Sequence, residues 1–295
     1  MKRIFAHHDL DGVFSAALVS IAEGVNEVIF CGANEGADEH DVNEDDIIVD
    51  LRPSNEVGLW FDHHRSNLNS KGKFKGSFEL KKSCSEVVYD YYKDKIDFPE
   101  FMINEIKGVS KADTFGFDEE DFKKNVPALK IMRSTMVDES EEEKSKFLNR
   151  LFIDLKKYNF EKLSDLEYVK KRILKNIKEN KQILEDADNG KLHKGLIVFV
   201  TKLKTGYIDL YPKRKESFEA VLMLKDVGER YNVFMGRNTF HKNTKIVEER
   251  CDFGKIMVPF GGGGHRGAAG CLLEKDKKDE FVKHVVKNWL EQRYG

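Results

Sequence analysis

Paired cysteines are missing from this 295-residue chain, although it contains four cysteines in all. The four lie far apart in the sequence, and none is part of a CxxC pair: Cys31, Cys84, Cys251 and Cys271. A disulfide framework and a zinc–thiolate site are therefore both unexpected, and the composition fits a reducing compartment.

The chain also lacks an excess of either charge and any long apolar run. Its 50 basic residues nearly balance its 52 acidic ones, which argues against a protein that coats long nucleic acid. The first residues, MKRIFAHHDLDG, lead straight into polar side chains, so no signal peptide is predicted, and no stretch is long enough to span a bilayer. We therefore expect a cytoplasmic protein without membrane contact, with any nucleic-acid contact confined to one cleft.

Short apolar runs alternate with helical patterns in the first half of the chain. Strands are predicted at residues 2–6, 27–31, 47–51 and 57–61, and helices at 12–23 and from Ser83 onward. This alternation predicts an α/β domain with a mostly parallel sheet flanked by helices.

Helical patterns dominate residues 100–189. Ser140 and Glu143 have the spacing of a capping box, and Ser164 is the predicted start of a long helix that ends near Gly190. Strands return after this point. We therefore expect three parts: a catalytic domain at 1–163, a connector helix at 164–190 and a smaller α/β domain at 191–295.

Histidine and aspartate side chains end predicted elements at four separate points. His7-His8-Asp9-Leu10-Asp11 follows the first strand, Asp50 ends the third, Asp62-His63-His64 ends the fourth, and Asp113 ends a helix. Because the carboxyl ends of parallel strands meet at one edge of a sheet, three of these groups are expected to share a crevice. Each group alone is a weak signal, but the four in order predict a metal site.

The residue types at these points suit divalent cations. Imidazole and carboxylate together are ligands typical of manganese, iron, cobalt or zinc. In extended backbone His7 and Asp9 would point to one side, and Asp11 could do the same. One carboxylate that bridges two cations holds them roughly 3.5–4 Å apart, the spacing of two-metal phosphoryl-transfer sites. Such a pair would acidify a water and screen the charge of a phosphate.

A glycine-rich run, GGGGHRGAAG at residues 261–270, marks the second half. Glycine lets backbone N–H groups approach an anion closely, and His265 and Arg266 can pair with phosphate, so the run predicts a phosphate-binding loop. The basic segment that carries Tyr207 and Tyr211 is predicted to be a solvated loop, with base stacking as the alternative.

Together these motifs resemble those of the DHH phosphoesterases. The matching segments are HHDLDG at 7–12, the aspartate of VDLRP, the DHH triplet at 62–64 and the later single aspartate. GGGGHRGAAG resembles the GGGHxxAAG signature of the DHH-associated domain. The superfamily includes RecJ-type exonucleases, nanoRNase/pAp-phosphatase proteins, cyclic-dinucleotide phosphodiesterases and family II pyrophosphatases, so the resemblance implies a metal-dependent phosphodiesterase.

The resemblance also implies a role for each matching residue. The first metal would be held by His7, Asp9 and Asp50, and the second by Asp11, Asp50, His63 and Asp113, with Asp50 bridging. Asp62 would orient an imidazole, and His64 would contact the scissile phosphate or protonate the leaving oxygen. His8 remains an alternative to His7 as the ligand.

In the second half, the resemblance implies a substrate-binding set. Its members would be Arg237, Gly262, Gly263, Gly264, His265 and Arg266. In similar enzymes an arginine in the strand that corresponds to Arg237 is followed by serine, whereas Asn238 follows here.

The implied cofactors are two divalent metal ions, with Mn²⁺ favoured and Mg²⁺ or Co²⁺ as alternatives. The expected substrates are short oligonucleotides, dinucleotides or pAp, hydrolysed to mononucleotides, because the chain lacks the length for the extra OB-fold domain of RecJ-type enzymes. Linear and cyclic substrates, and RNA and DNA, remain open alternatives. Dimers are common among similar proteins, so a homodimer is compatible with the resemblance.

Two other functions are compatible with parts of the pattern. An inorganic pyrophosphatase or polyphosphatase would share the metal site, but the first motif here is HxDxD, whereas family II pyrophosphatases have HxxxDxD. A non-catalytic nucleic-acid-binding or scaffold protein on a decayed DHH fold would have lost ligands, whereas every expected ligand is present in this chain.

Overall fold

The computed structural model describes residues 2–32, 41–54, 56–203, 207–264 and 266–295. The chain divides into two compact units, Met1–Leu174 and Lys175–Gly295. None of the helices within these described stretches is long and apolar enough to cross a membrane.

The first unit contains the parallel sheet that the sequence predicts. Its described strands are β1 Ile4–His7, β2 Val28–Cys31, β3 Ile47–Val49, β4 Leu59–Asp62 and β5 Gly76–Phe78. They lie in the order β2-β1-β3-β4-β5, and every neighbouring pair is parallel. The chain therefore moves outward from β1 in both directions, and sheets of this order bind ligands at the carboxyl ends of the strands where the direction reverses.

Burial on both faces explains the sequence of the central strands. Ile4, Phe5 and Ala6 of β1 are completely buried, as is all of β3. Strands covered by helices on both faces are continuously apolar rather than alternating. In β1, β3 and β4 the first charged or imidazole side chain therefore comes at the carboxyl end of the strand or directly after it.

Seven helices lie in the first unit, and an eighth crosses into the second. They are α1 Leu10–Glu23, α2 Cys84–Tyr92, α3 Glu100–Asp113, α4 Glu119–Lys124, α5 Pro127–Thr135, α6 Glu141–Leu155, α7 Phe160–Asp165 and α8 Glu167–Asp188. These counts refer to the described stretches of chain. Ser83 caps α2, and Ser140 and Glu143 form the predicted capping box of α6.

The long connector helix begins later than the sequence predicts. Ser164 lies inside α7, which Asn159 caps, and its hydroxyl donates to the Glu161 carbonyl oxygen at 2.8 Å. Leu166 has extended backbone and ends α7, so α8 starts only at Glu167. Ser164 therefore satisfies a carbonyl within one helix instead of opening the next. The boundary between the two units falls within α8.

The second unit contains a mixed sheet. Its described strands are β6 Lys191–His193, β7 Leu196–Thr201, β8 Ala220–Val227, β9 Arg230–Arg237, β10 Gly263–Gly264 and β11 Ala268–Glu274, in the order β10-β11-β9-β8-β7-β6. Only β7 and β8 pair in parallel within this described sheet. The helices are α9 Leu210–Lys213, α10 Thr244–Arg250, α11 Phe253–Met257 and α12 Lys278–Tyr294. Phe253, Phe281 and Trp289 from these helices complete the core of the unit.

Tyr207 and Tyr211 do not belong to a solvated loop, so that prediction was wrong for both residues. Tyr211 is only 4% exposed and packs near Phe218. Tyr207 stacks on Phe234, with ring centroids 4.8 Å apart. The basic residues of the segment favoured the prediction of a solvated loop, whereas its two tyrosines pack against phenylalanines of the second unit.

Candidate metal centre

The polar residues at the ends of β1, β3 and β4 lie side by side. His7 is the last residue of β1, Asp50 follows β3, and Asp62 is the last residue of β4. Because β3 lies between β1 and β4, Asp50 is placed between the two histidine-bearing segments. The strand order therefore places Asp50 at the centre of the cluster.

His7, Asp9 and Asp50 form the first group of donors. His7 Nδ1 lies 2.8 Å from Asp9 Oδ2 and 3.5 Å from Asp50 Oδ2. One ligand atom from each of the three lies within 4.8 Å of the others. His8 stacks on His7 with ring centroids 5.2 Å apart, and the choice of His7 over His8 as the ligand stays a prediction.

Asp11, His63 and Asp113 form a second group on the other side of Asp50. His63 Nε2 lies 3.8 Å from Asp11 Oδ2 and 3.6 Å from Asp113 Oδ2. It also lies 3.4 Å from Asp50 Oδ1, whereas His7 approaches the other Asp50 oxygen. Asp50 thus presents one oxygen to each group, which is the arrangement that a bridging ligand needs.

The backbone of Asp50 supports a special role for this position. Its φ of 60° lies in the left-handed region, which residues other than glycine, asparagine and aspartate rarely adopt. Its N–H donates to the Phe61 carbonyl oxygen of β4 at 2.9 Å. Backbone strain of this kind is concentrated at functional sites, where the surrounding structure enforces it.

Asp11 reaches the cluster differently from the sequence expectation. Extended backbone ends at Asp9, whose carboxylate caps α1 by accepting from Gly12 N at 2.9 Å, so Asp11 lies in the first helical turn. The Asp11 carboxylate accepts from Cys84 N at 2.6 Å and from Ser85 N at 3.0 Å, both in the first turn of α2. The prediction that Asp11 would follow in the same extended segment was therefore wrong, although its side chain does reach His63.

Asp62 fixes the orientation of the segment that carries both histidines. Its Oδ1 accepts from the backbone N–H of His63 at 2.8 Å and from Nδ1 of His64 at 2.7 Å. Its Oδ2 accepts from Asn67 Nδ2 at 2.6 Å. With Nδ1 engaged by Asp62, His64 has Nε2 left for other contacts, and about two fifths of its side chain is exposed to solvent.

A backbone carbonyl orients His63. Its Nδ1 lies 3.2 Å from the Lys81 carbonyl oxygen, an interaction that places the proton on Nδ1 and leaves a lone pair on Nε2. Metal-binding histidines usually make such a hydrogen bond with their second ring nitrogen.

Excess negative charge shifts the pKa of several groups in the cluster. Burial would lower the pKa of His63, but the carboxylates of Asp50, Asp11 and Asp113 raise it to about 10. Burial opposes the same shift at His7, yet Asp9 and Asp50 raise its pKa well above 6.5. Burial and neighbouring carboxylates also raise the pKa of Asp113 to about 7.

The hydrogen bonding of the buried donor atoms is a separate indication that they bind divalent cations. Both Asp50 side-chain oxygens and His63 Nε2 are buried and accept or donate no hydrogen bond within the described residues. Buried polar atoms almost always have a partner, and exceptions often mark an ion site. Nitrogen and oxygen donors around a cluster of carboxylates suit Mn²⁺ or a similar ion.

Sequence reasoning missed several groups around this cluster. Asn67 and the Lys81 carbonyl hold Asp62 and His63 in place, and neither belongs to a recognisable motif. Burial lowers the pKa of Lys144 of α6, and the carboxylates of Glu141 and Asp9 act against that shift. Lys144 lies in the run EEEK, which resembles an ordinary solvated helix start.

In the second unit, two arginines of the predicted substrate-binding set meet α10. Arg237, the last residue of β9, pairs through Nη1 with Glu248 Oε2 at 2.5 Å. Arg266 donates from Nε to the Glu248 carbonyl at 3.2 Å and from Nη2 to the Glu249 carbonyl at 2.6 Å. Both side chains therefore converge on the last turn of one helix.

The predicted glycine loop is partly a short strand. Gly263 and Gly264 pair with β11, and a Cβ on Gly264 would lie 2.6 Å from the Ala268 carbonyl oxygen. The N–H of Gly262 donates to the Met257 carbonyl oxygen at 3.1 Å, whereas the Cβ position of Gly263 has no atom within 4 Å. Close backbone approach thus accounts for part of the glycine pattern, and Gly263 lies against open space. His265 lies outside the described residues.

An apolar groove of about 980 Å³ in the second unit lies apart from this set. Val198, Val282 and Leu290 are among its lining residues. It holds none of the residues of the two donor groups, so volume alone does not identify the metal centre.

No protein-family model matches this chain, and no curated protein matches its sequence. Solved structures do match. The pGpG-specific phosphodiesterase PggH from Vibrio cholerae superposes with a TM-score of 0.72 at 19% identity, over 99% of this chain and 100% of its own.

Two further structures share the fold. The DHH domain of a protein described as a member of a ribosomal-protein family gives a TM-score of 0.62 at 11% identity, over 99% of this chain and 87% of its own. RecJ from Thermus thermophilus, in complex with Mn²⁺, gives 0.61 at 13% identity, over 97% of this chain and 51% of its own. The resemblance to DHH proteins is thereby confirmed at the level of the fold, as is the predicted α/β class.

Proposed function

We propose that this protein is a metal-dependent phosphodiesterase that hydrolyses short nucleic acid, with a linear dinucleotide as its preferred substrate. The observation that carries the proposal is the position of Asp50, which offers one buried oxygen to each of two donor groups. The first cation would be held by His7, Asp9 and Asp50, and the second by Asp11, Asp50, His63 and Asp113. Bound there, two divalent cations would neutralise phosphate charge and acidify the attacking water.

His64 is suited to act on the leaving oxygen. Burial would lower the pKa of His64, but Asp62 and Asp50 raise it above its ordinary value, which favours the protonated imidazole. Asp62 accepts from Nδ1, which leaves the Nε2 proton for transfer to the leaving oxygen. Asp62 therefore acts as a positioning residue, since it fixes the tautomer and orientation of His64.

The second unit carries the predicted substrate-binding residues, and we assign phosphate binding to them. Arg237 provides a guanidinium beside Gly267, where the Cβ of a larger residue would lie 3.0 Å from Arg237 Nε. Gly263 lies against open space and can expose backbone to an anion. Two phosphate-binding groups separate from the cations would favour a substrate with more than one phosphate.

The choice of substrate rests on three features. The first motif departs from that of family II pyrophosphatases, which disfavours pyrophosphate. The near balance of charge disfavours long nucleic acid. The similar Vibrio cholerae structure is of an enzyme described as specific for pGpG, a linear dinucleotide. A homodimer and Mn²⁺ as the resident ion are part of the same proposal.

A substrate screen tests the proposal. The purified protein, supplied with Mn²⁺, is given linear dinucleotides, short RNA, short DNA, pAp, cyclic dinucleotides and pyrophosphate at equal concentrations. We expect the highest kcat/KM on a linear dinucleotide and only mononucleotide products. EDTA-treated protein serves as the control and should be inactive.

Two outcomes would contradict the proposal. Faster hydrolysis of pyrophosphate than of any dinucleotide would identify a pyrophosphatase. Binding of oligonucleotide without hydrolysis, in protein shown to contain metal, would identify a scaffold.

A further inference from the structure

A buried network of serines joins α2, whose first turn binds the Asp11 carboxylate, to α3, which ends at Asp113. Ser83 precedes α2, Ser85 lies in its first turn, and Ser110 lies near the end of α3. The Oγ atoms of Ser83 and Ser85 are 2.9 Å apart, and those of Ser83 and Ser110 are 2.8 Å apart. Ser110 also donates to Glu86 Oε1 at 2.5 Å. All three serines are at most 3% exposed.

The proton order in this network follows from its last acceptor. A carboxylate oxygen of Glu86 can only accept, so the single Ser110 proton is used there. Ser83 must then donate to Ser110, and Ser85 must donate to Ser83. The hydroxyls therefore form one directed chain, and each is satisfied only when the next is in place.

One end of the hydrogen-bond network lies in the turn of α2 that holds Asp11. The backbone N–H groups of Cys84 and Ser85 donate to the two carboxylate oxygens of Asp11, and both residues are fully buried. The same turn of α2 is closed by the Glu86 N–H, which donates to Ser83 Oγ at 3.4 Å. Any movement of this turn would move the Asp11 carboxylate with it.

The other end of the hydrogen-bond network lies in the turn of α3 that carries Asp113. Ser110 lies three positions before Asp113 on α3, so the two side chains are neighbours on the helix surface. The Ser110 carbonyl oxygen accepts from both the N–H and the hydroxyl of Thr114, which ends the helix. Ser110 thus ties the last turn of α3, through its side chain, to the first turn of α2.

We propose that Ser83, Ser85, Ser110 and Glu86 are positioning residues for the second cation, because they hold the helix turns that carry Asp113 and grip Asp11 at a fixed separation. None of the four contacts the first donor group of His7, Asp9 and Asp50 in the described hydrogen bonds. The network should therefore control the second cation selectively. This inference rests on the proposed two-metal function.

The test measures Mn²⁺ binding by calorimetry and by the electron paramagnetic resonance signal of coupled Mn²⁺ pairs. In Ser110→Ala we expect affinity for the second Mn²⁺ to fall about 10–100-fold, the usual effect of losing a group that orients metal ligands. The first Mn²⁺ should bind as in the wild type. Activity should fall at low Mn²⁺ and recover as Mn²⁺ is raised, with little change in KM for substrate.

Two variants of Glu86, the last acceptor of the hydrogen-bond network, give an independent comparison. Glu86→Ala removes the last acceptor and should reproduce the Ser110→Ala result, whereas Glu86→Gln retains an acceptor oxygen and should restore the second site. Ser164→Ala is the matched control, because Ser164 is also a buried helix serine, and its hydroxyl bonds within α7 among the described residues. It should leave both affinities unchanged.

The possible failures are distinct. If the wild type binds no Mn²⁺ pair, the proposed function itself is wrong. If it binds a pair, and Ser110→Ala and Glu86→Ala bind the second Mn²⁺ as tightly as it does, the positioning role is wrong. Equal weakening of both cations, without recovery at high Mn²⁺, would show a general structural effect and would also overturn the inference.

Discussion

At the scale of single residues, Asp50 determines the character of the centre. It is 2% exposed, has left-handed backbone and offers its two oxygens to different donor groups. Its position at the end of a central apolar strand was predictable from sequence. Its backbone conformation was not, because it depends on the hydrogen bond to Phe61 of the neighbouring strand.

The first prediction concerns Asp50→Asn. Asparagine tolerates the left-handed conformation, so the fold should persist. A bridging ligand contributes several kcal/mol of charge stabilisation, and each 1.36 kcal/mol is tenfold in rate, so kcat/KM should fall at least about 100-fold. Steady-state assays with Mn²⁺ measure this, with exposed Asp45→Asn as the control. Wild-type turnover by Asp50→Asn would contradict the assignment.

A second prediction concerns pH. In the metal-free protein the pKa of Asp113 is raised from 3.8 to about 7, and that of His63 from 6.5 to about 10. Groups whose folded pKa is raised stabilise the fold at low pH, and this contribution is lost as pH rises through the folded pKa. Metal-free protein should therefore be less stable at about pH 9 than at about pH 6.

Metal should reverse this trend. Cations bind the deprotonated ligands, so the affinity for Mn²⁺ should increase with pH. Denaturant unfolding at both pH values, with EDTA and with Mn²⁺, measures the two effects. A metal-free protein that gains stability across this range would show that the cluster does not retain protons.

At the scale of elements, a partly buried ion pair joins the start of β1 to the start of β3. Asp46 precedes β3, and its carboxylate accepts from the Arg3 backbone N–H at 3.0 Å and from Arg3 Nη2 at 2.6 Å. It also accepts from the Asn43 N–H at 3.0 Å. Asp46 therefore fixes β1 and β3 side by side at the end opposite the metal centre.

The third prediction follows from this contact. Asp46→Asn should lower the free energy of unfolding by about 3 kcal/mol, near the lower end for breaking a buried pair, because Arg3 keeps some solvent contact. Urea titration measures the change, and Asp45→Asn next to it is the exposed control. A loss no larger than that of the control would show that the pair does not stabilise the sheet.

Sequence patterns gave most of the elements but not the shortest ones. Central strands such as β1 and β3 were predictable because burial on both faces makes them uniformly apolar. β5, β6 and β10 are as short as β3 or shorter and are not uniformly apolar, so their sequences show neither a buried run nor a period. The grip of α2 on Asp11 joins residues 73 and 74 positions apart, and no local pattern reports such a contact.

At the scale of the whole molecule, we assign metal binding to the first unit and substrate binding to the second. The donors of the metal centre all lie in Met1–Leu174, and Arg237 and the glycines lie in Lys175–Gly295. The order of motifs in the sequence predicted this separation of residues. The pairing of Arg237 with Glu248 was not predictable, because it requires the packing of α10 beside β9.

A fourth prediction tests the division of roles. Arg237→Ala should raise KM for a linear dinucleotide about tenfold or more, the cost of losing a charged hydrogen bond. Turnover of bis-p-nitrophenyl phosphate, which has no second phosphate, should not change. Arg230→Ala, at the other end of β9 and paired with Glu274, is the matched control. Equal effects of Arg237→Ala on both substrates would contradict a substrate-binding role for the second unit.

The central claim is that one pocket at the carboxyl ends of β1, β3 and β4 holds two cations. Anomalous diffraction at the manganese edge, from crystals grown with Mn²⁺, tests it most directly. If two cations bind there, we expect two peaks roughly 3.5–4 Å apart on either side of the Asp50 carboxylate. A single peak, or peaks remote from His7, Asp50 and His63, would contradict it.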